Sequence, residues 1–262
     1  MAVSKIFQVK SYFNHWLNSV DEHSIHSPFF FDFYNKVIKT ENPDQNFTAI
    51  EEIRIKLLAN STEVTVHDLG ARSPHFKTES RPLSRIAETS LSPASYCRLY
   101  SRIIHYLNAA EILELGTSMG ITTLYLAQQN NAHVTTFEGN PAMINVALTH
   151  FEYFNKKNIT LIEGNLDSTL SNHLLKPLKI NFAMMDANHR YEPTMRYFNL
   201  ISRRMSEKGV IVLDDIHYSE EMNRAWNELQ NHPLIYGSVD LFRCGILFFD
   251  PALNRQHYIW SV

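Results

Sequence analysis

Three carboxylates in the second half of the chain stand where reactive groups are often presented. Asp186 lies in Met184-Met185-Asp186-Ala187-Asn188-His189, and the pair Asp214-Asp215 lies in Val212-Leu213-Asp214-Asp215-Ile216-His217. Each acid follows an apolar run that reads as a buried strand, and adjacent parallel strands end side by side. Hard divalent cations favour a few carboxylate oxygens, with other positions left for water or substrate. Mg2+ held by Asp186, Asp214 and Asp215 would bind a substrate hydroxyl, lower its pKa and orient its oxygen. His189, three residues after Asp186, offers an imidazole that accepts a hydroxyl proton near neutral pH. Plainer uses stay open. Asp214 or Asp215 can cap the helix that follows, His189 can orient Asp186 or bond backbone, and His217 can serve as a helix-start residue.

A second candidate site begins at Glu114-Leu115-Gly116-Thr117-Ser118-Met119-Gly120. Gly116 and Gly120 let the backbone turn tightly and approach a ligand where a Cβ would clash. The spacing Glu-x-Gly-x-x-x-Gly departs from the GxGxxG that cradles a pyrophosphate. S-adenosylmethionine has no phosphate but carries an ammonium, for which Glu114 offers negative charge. Glu138 stands about 20 positions beyond the loop, where an acid accepts ribose hydroxyls. Asn165, with Asp167 as its rival, is placed to accept from the adenine amine.

The elements that must position these groups alternate. From residue 92 onward the pattern predicts helix near 96–107, strand 112–115, helix 121–129, strand 133–137 and helix 141–155. It continues with strand 159–162, helix 169–175, strand 180–185, helix 193–205, strand 210–213 and helix 220–230. Such alternation predicts a parallel sheet with helices on both faces. Runs 234–241 and 245–249 lack a helix between them and should pair as a hairpin. The first 60 residues read as mostly helical, with Ile6, Val9, Phe13, Trp16 and Val20 forming an apolar stripe that needs cover. Further helices are expected near 29–39 and 49–58, and a short strand at 63–67. The polar loop 71–85 divides an N-terminal helical extension, 1–91, from a core at 92–262.

Taken in order, these strand ends resemble the motifs of class I S-adenosylmethionine-dependent methyltransferases over roughly 92–250. The resemblance implies a doubly wound Rossmann-like α/β fold, mostly parallel, with a C-terminal antiparallel hairpin. It implies that Glu114, Gly116, Thr117, Ser118 and Gly120 form the methionine-side loop, with Glu138 at ribose, Asn165 at adenine and Asp186 also contacting cofactor. Asn165 replaces the acid often found there. The acids at the fourth and fifth strand ends look like those of metal-dependent catechol-type and sugar O-methyltransferases. That likeness implies His189 and Asp186 as catalytic residues and Asp186, Asp214 and Asp215 as Mg2+ ligands. The segment His23-Ser24-Ile25-His26-Ser27-Pro28-Phe29-Phe30, with Asp214-Asp215-Ile216-His217, resembles a largely uncharacterised group of bacterial class I methyltransferases. The expected activity is methyl transfer to a hydroxyl of a small molecule with Mg2+ help. A metal-independent N- or O-methyltransferase and a cofactor-binding scaffold without turnover are the alternatives.

Bulk properties agree with a small-molecule enzyme. The chain has 262 residues, 24 Lys and Arg against 27 Asp and Glu, and no charge block that advertises nucleic acid. Cys97 and Cys244 are too few for a disulfide framework. No run is long and apolar enough to span a bilayer, and the N-terminus lacks the apolar core of a secretion signal. The expectation is a cytoplasmic protein, with a homodimer through the N-terminal helices as a possible assembly. Asp68-Leu69-Gly70-Ala71 imitates the glycine loop but has no helix after it. Arg72, Lys77, Arg81 and Arg85 are read as a solvated loop or an anion-contacting lid.

Overall fold

The computed structural model describes residues 4–40, 47–66 and 80–261. The mimic loop 68–71, Arg72 and Lys77 therefore lie outside the described residues. The chain divides into two compact units, one of 1–40 with 176–262 and one of 41–175.

The first unit opens with α1, Lys5–Asn18, capped by Ser4, whose side chain accepts from the Phe7 amide. The apolar stripe on this helix faces outward: Ile6, Val9, Phe13 and Trp16 are exposed, with Trp16 at 60%. The buried residues of α1 are instead polar, Ser11 and His15. Next comes α2, Pro28–Phe33, where Ser27 caps and Pro28 occupies the first turn, a favoured N-terminal arrangement. A π-helical turn, Tyr34–Ile38, completes what reads in sequence as one helix. Phe30 and Phe33 are fully buried and meet Phe248 edge-on, with centroids 5.2 Å apart in both pairs. The distinctive His-Ser-Pro-Phe segment thus works as a capped, aromatic packing device.

The second unit runs α3 (Thr48–Leu58), β1 (Glu63–Thr65), β2 (Ser80–Pro82), α4 (Leu83–Ser90), α5 (Ala94–Leu107), β3 (Glu111–Leu115), α6 (Ile121–Leu126), β4 (His133–Glu138), α7 (Pro141–Tyr153), β5 (Ile159–Glu163) and α8 (Leu166–His173). Strands β3, β4 and β5 pair parallel in that order. Part of the expected polar loop is ordered structure, since β2 pairs antiparallel with β1 and leads into α4. An amphipathic run reads as loop when its few apolar residues, here Leu83, Ile86 and Ala87, are diluted by polar ones. Those three join Ile50, Ile53, Leu57, Leu124 and Tyr125 in one apolar core. Arg54 is buried among them because its Nη1 donates to the Ser92 carbonyl at 2.8 Å and its Nε to Glu51 at 3.0 Å.

The first unit resumes with β6 (Ile180–Met185), α9 (Tyr191–Ser202), β7 (Met205–Asp214), α10 (Glu220–Gln230), β8 (Gly237–Asp240), β9 (Cys244–Phe248) and β10 (Gln256–Ile259). Strands β6 and β7 are parallel, whereas β9 runs antiparallel to both β7 and β8. The expected hairpin is present, and β10, which the sequence reading missed, adds a further parallel strand beside β8. Among the described residues no helix is long and apolar enough to cross a membrane.

The β7–β9 pairing fixes the register on which the acids depend, with Leu213 opposite Gly245 and Asp214 opposite Cys244. The Trp226 ring of α10 fills the space where a Gly245 Cβ would stand. Gly245→Ala should therefore cost about 1–3 kcal/mol by overpacking, read as a lower urea midpoint with unchanged slope.

Candidate active site

In the second unit the candidate cofactor loop is built from the β3–β4 pair. Leu115 lies opposite Phe137, and the Phe137 carbonyl accepts from the amides of both Gly116 and Thr117, at 3.1 and 3.0 Å. The loop then turns through left-handed conformations at Gly116, Ser118 and Gly120, with φ of 98°, 48° and 77°. At Gly120 a Cβ would lie 2.7 Å from the Phe151 ring of α7, so close helix packing as well as φ demands glycine. Glu138, at the end of β4, ties the loop to the next helix. Its Oε2 accepts from the Ser118 amide at 2.7 Å, and its Oε1 from Gly139 and Asn140 at 2.9 and 2.8 Å. A carboxylate has about four acceptor sites, so a ribose hydroxyl can still be accommodated.

Glu114 sits inside the unit rather than on its surface, at 1% exposure. Its Oε2 accepts from the hydroxyls of Thr123 and Thr136, each at 2.6 Å, while Oε1 is buried without a partner. Burial pushes its carboxyl up to about 7; the two threonine hydroxyls pull it back only in part, and the Glu138 charge adds to the rise. An orphaned, buried carboxylate oxygen beneath a glycine loop fits a ligand ammonium, so these residues suit S-adenosylmethionine. Thr117 carries its hydroxyl to Thr136, inside the same network. Asn165 caps α8, its Oδ1 accepting from the Asp167 amide at 2.8 Å, and both side chains are exposed.

The first unit holds the acids. Met185 lies opposite Leu213 across β6 and β7, so Asp186 and Asp214 leave their strands at the same level. His189 Nε2 lies 3.4 Å from Asp186 Oδ1, and its Nδ1 lies 3.9 Å from Asp215 Oδ2. The imidazole thus stands between two acids. Backbone geometry holds it there: Asn188, His189 and Asp215 all have positive φ, at 70°, 40° and 56°. Such conformations cost energy in residues other than glycine and cluster at functional sites.

Asp214 is fully buried, and burial together with the neighbouring Asp215 pushes its carboxyl up, while Arg243 and His189 pull it back. Arg243 Nη2 donates to Asp214 Oδ2 at 2.9 Å and stands 3.9 Å from Asp215 Oδ1. Sequence reasoning missed this arginine. It arrives through the antiparallel register, since Cys244 faces Asp214 and the preceding residue reaches the level of Asp215. The expected Mg2+ ligands Asp186, Asp214 and Asp215 are therefore engaged by His189 and Arg243. Among the described residues no group of three or more His, Cys, Asp or Glu is arranged to hold a metal ion. Two cationic or proton-bearing side chains occupy the space between the acids, and this donor set does not fit a divalent cation.

A neighbouring network supports the arginine turn. Asp240 Oδ1 accepts from the Phe242 amide at 2.8 Å, and Oδ2 from Trp226 Nε1 at 3.1 Å and His217 Nε2 at 2.9 Å. His15 of α1 approaches the same carboxylate at 3.3 Å. Burial opposes ionisation of Asp240, but hydrogen bonds from His15 and His217 outweigh it and hold the carboxyl below its usual range. His217 is thus a partner of Asp240. His23 and His26 stay exposed on the chain leading to α2.

Residues 113–216 match the family described as "Methyltransferase domain". No curated protein matches the chain in sequence. Solved structures with the same fold include an O-methyltransferase from Bacillus cereus in complex with S-adenosylhomocysteine. It is 15% identical, with TM-score 0.57, over 82% of this chain and 94% of that one. An S-adenosylhomocysteine-bound methyltransferase of Podospora anserina is 16% identical, with TM-score 0.55, over 80% and 99%. An O-methyltransferase of Streptomyces achromogenes involved in tomaymycin synthesis, bound to S-adenosylmethionine, is 16% identical, with TM-score 0.54, over 62% and 82%. The shared fold is the mostly parallel, Rossmann-like α/β arrangement with a C-terminal antiparallel pair.

The Glu114 carboxyl makes stability depend on pH in a defined direction. Its folded value, about 7, lies above the ordinary 4.5, so the folded state holds an extra proton between them. Stability in cofactor-free protein should fall as pH rises through that window. Glu114→Gln removes the titration, so its Tm relative to wild type should climb between about pH 5 and pH 8. A constant offset across that range, seen by thermal scanning, would clear Glu114 of this role.

Proposed function

We propose that this chain is a class I S-adenosylmethionine-dependent methyltransferase that methylates a hydroxyl oxygen of a small molecule, a reading that its fold and the match to a methyltransferase domain at 113–216 support. The observation that carries this reading is the imidazole of His189 set between Asp186 and Asp215. With its Nε2 proton directed at Asp186, the neutral ring keeps the Nδ1 lone pair for a substrate proton. Asp186, on the Nε2 side, then stabilises the imidazolium that forms, as the acid opposite the reacting nitrogen does in a catalytic triad. An alcohol or phenol needs such a base, because its oxygen attacks carbon far better once the proton is gone. The O-methyltransferase neighbours support the same choice of acceptor atom.

The cofactor side of the proposal assigns the loop 116–120 to the methionine part, Glu138 to the ribose hydroxyls and Asn165 to the adenine edge. Glu114 faces the ammonium through its unpartnered Oε1. Bound there, S-adenosylmethionine supplies a methyl group on a positively charged sulfur. Mg2+ is left out of the reading, because Arg243 and His189 already stand among Asp186, Asp214 and Asp215. The metal-independent form is the one these contacts favour.

Two measurements test the proposal. In calorimetric titration, Glu138→Ala should weaken S-adenosylmethionine binding by about 2–3 kcal/mol, the scale of charged hydrogen bonds; equal affinities would remove Glu138 from the site. In methyl-transfer assays over phenols, catechols and hydroxylated sugars, turnover should persist in excess chelator. His189→Ala should slow it by about 10²–10⁴, with partial recovery at high pH as the acceptor ionises unaided. An unchanged pH–rate profile in that variant would rule out the base.

A further inference from the structure

We infer that the Arg243 guanidinium is the built-in cation of the acid cluster: it takes the charge position at Asp214 and Asp215 that a divalent metal would need. The consequence for turnover rests on the O-methyl transfer proposed above, whereas the exclusion of metal does not.

Three observations carry the inference. Asp214 is fully buried, and a buried carboxylate requires either an opposite charge or neutralisation by a proton. Arg243 provides that charge at 2.9 Å, and the same nitrogen stands 3.9 Å from Asp215. A Mg2+ ion bonds carboxylate oxygen at about 2.0–2.1 Å and demands near-octahedral ligands. It could not share Asp214 Oδ2 with a guanidinium without severe cation–cation repulsion. On the other side of Asp215 the imidazole of His189 fills the approach from Asp186.

The arginine is also held in place, unlike an ordinary surface ion pair. Its turn follows β8, where the Phe242 amide is fixed to Asp240 and the Arg243 amide donates to the Leu241 carbonyl at 2.8 Å. Phe242 adopts φ of 64° at this point, and its ring stacks on His217. Asp240 is anchored in turn by His217, Trp226 and His15. This network holds the Arg243 backbone level with Asp215. Arg243 acts as a positioning residue: its guanidinium supplies the positive charge that buried Asp214 requires and stands beside Asp215 as well.

A merely structural arginine and a cation substitute make different predictions when the charge is removed. The probe is Mn2+, followed through the loss of its free electron-paramagnetic signal on adding the full-length protein. Wild type should take up no Mn2+ at concentrations that load Arg243→Ala. Arg243→Ala should bind about one Mn2+ per chain, and adding Asp215→Asn should abolish that uptake. Arg243→Lys, which keeps the charge, should stay metal-free. Methyl transfer by Arg243→Ala should become dependent on added Mg2+ or Mn2+, while wild type ignores both. Mn2+ binding by wild type that Asp215→Asn removes would overturn the inference, as would a folded Arg243→Ala that binds none. Should Arg243→Ala fail to fold, wild type and Arg243→Lys still decide it, since metal at Asp215 in either one sinks the idea. A wild type that methylates no hydroxyl compound would defeat the functional reading alone, because Mn2+ uptake is scored without turnover.

Discussion

A carboxylate removed from water must meet donors or an opposite charge, and the strand ends of this protein are organised around that requirement. Asp214, Asp240 and Glu114 are all buried, and each meets it differently. Asp214 has the guanidinium of Arg243, Asp240 has two imidazoles, an indole and an amide, and Glu114 has two threonine hydroxyls on one oxygen only. The incomplete case is the informative one. An oxygen left without a partner costs energy, and a cationic group placed beside it would relieve that cost.

The same requirement explains the orientation of the first helix. Ordinarily an amphipathic helix turns its apolar face to the core. Here α1 turns Ser11 and His15 inward and leaves Phe13, Trp16 and Leu17 exposed. His15 contributes to holding Asp240, and Asp240 fixes the turn that carries Arg243. A polar inward face thus serves the charge network of the β8–β9 turn, and the exposed apolar face is its geometric consequence.

The sequence by itself determined the alternation of strands and helices, because periods of two and of about 3.6 residues are local signals. It also determined where Gly116, Gly120, Glu138, Asp186 and Asp214 would stand. Gly116, Glu138, Asp186 and Asp214 each directly follow or end a strand, and Gly120 opens the helix after the first of them. The hairpin of β8 and β9 was legible from the lack of a helix between two strand-like runs. Less legible were α4, diluted by polar residues, and β10, a short run with a mixed pattern.

Only the tertiary structure decided what surrounds the acids. Arg243 lies 29 positions from Asp214 and reaches it through an antiparallel register that no local pattern encodes. His15, 225 positions from Asp240, arrives on a helix whose periodicity reveals an apolar face but not the direction that face points. The depth of Glu114 was hidden for the same reason, since a strand-end acid reads alike whether water or two threonine hydroxyls meet it. Sequence fixes residue type and order along the chain; which charges share one low-dielectric space depends on contacts between distant segments, and those arise only on folding.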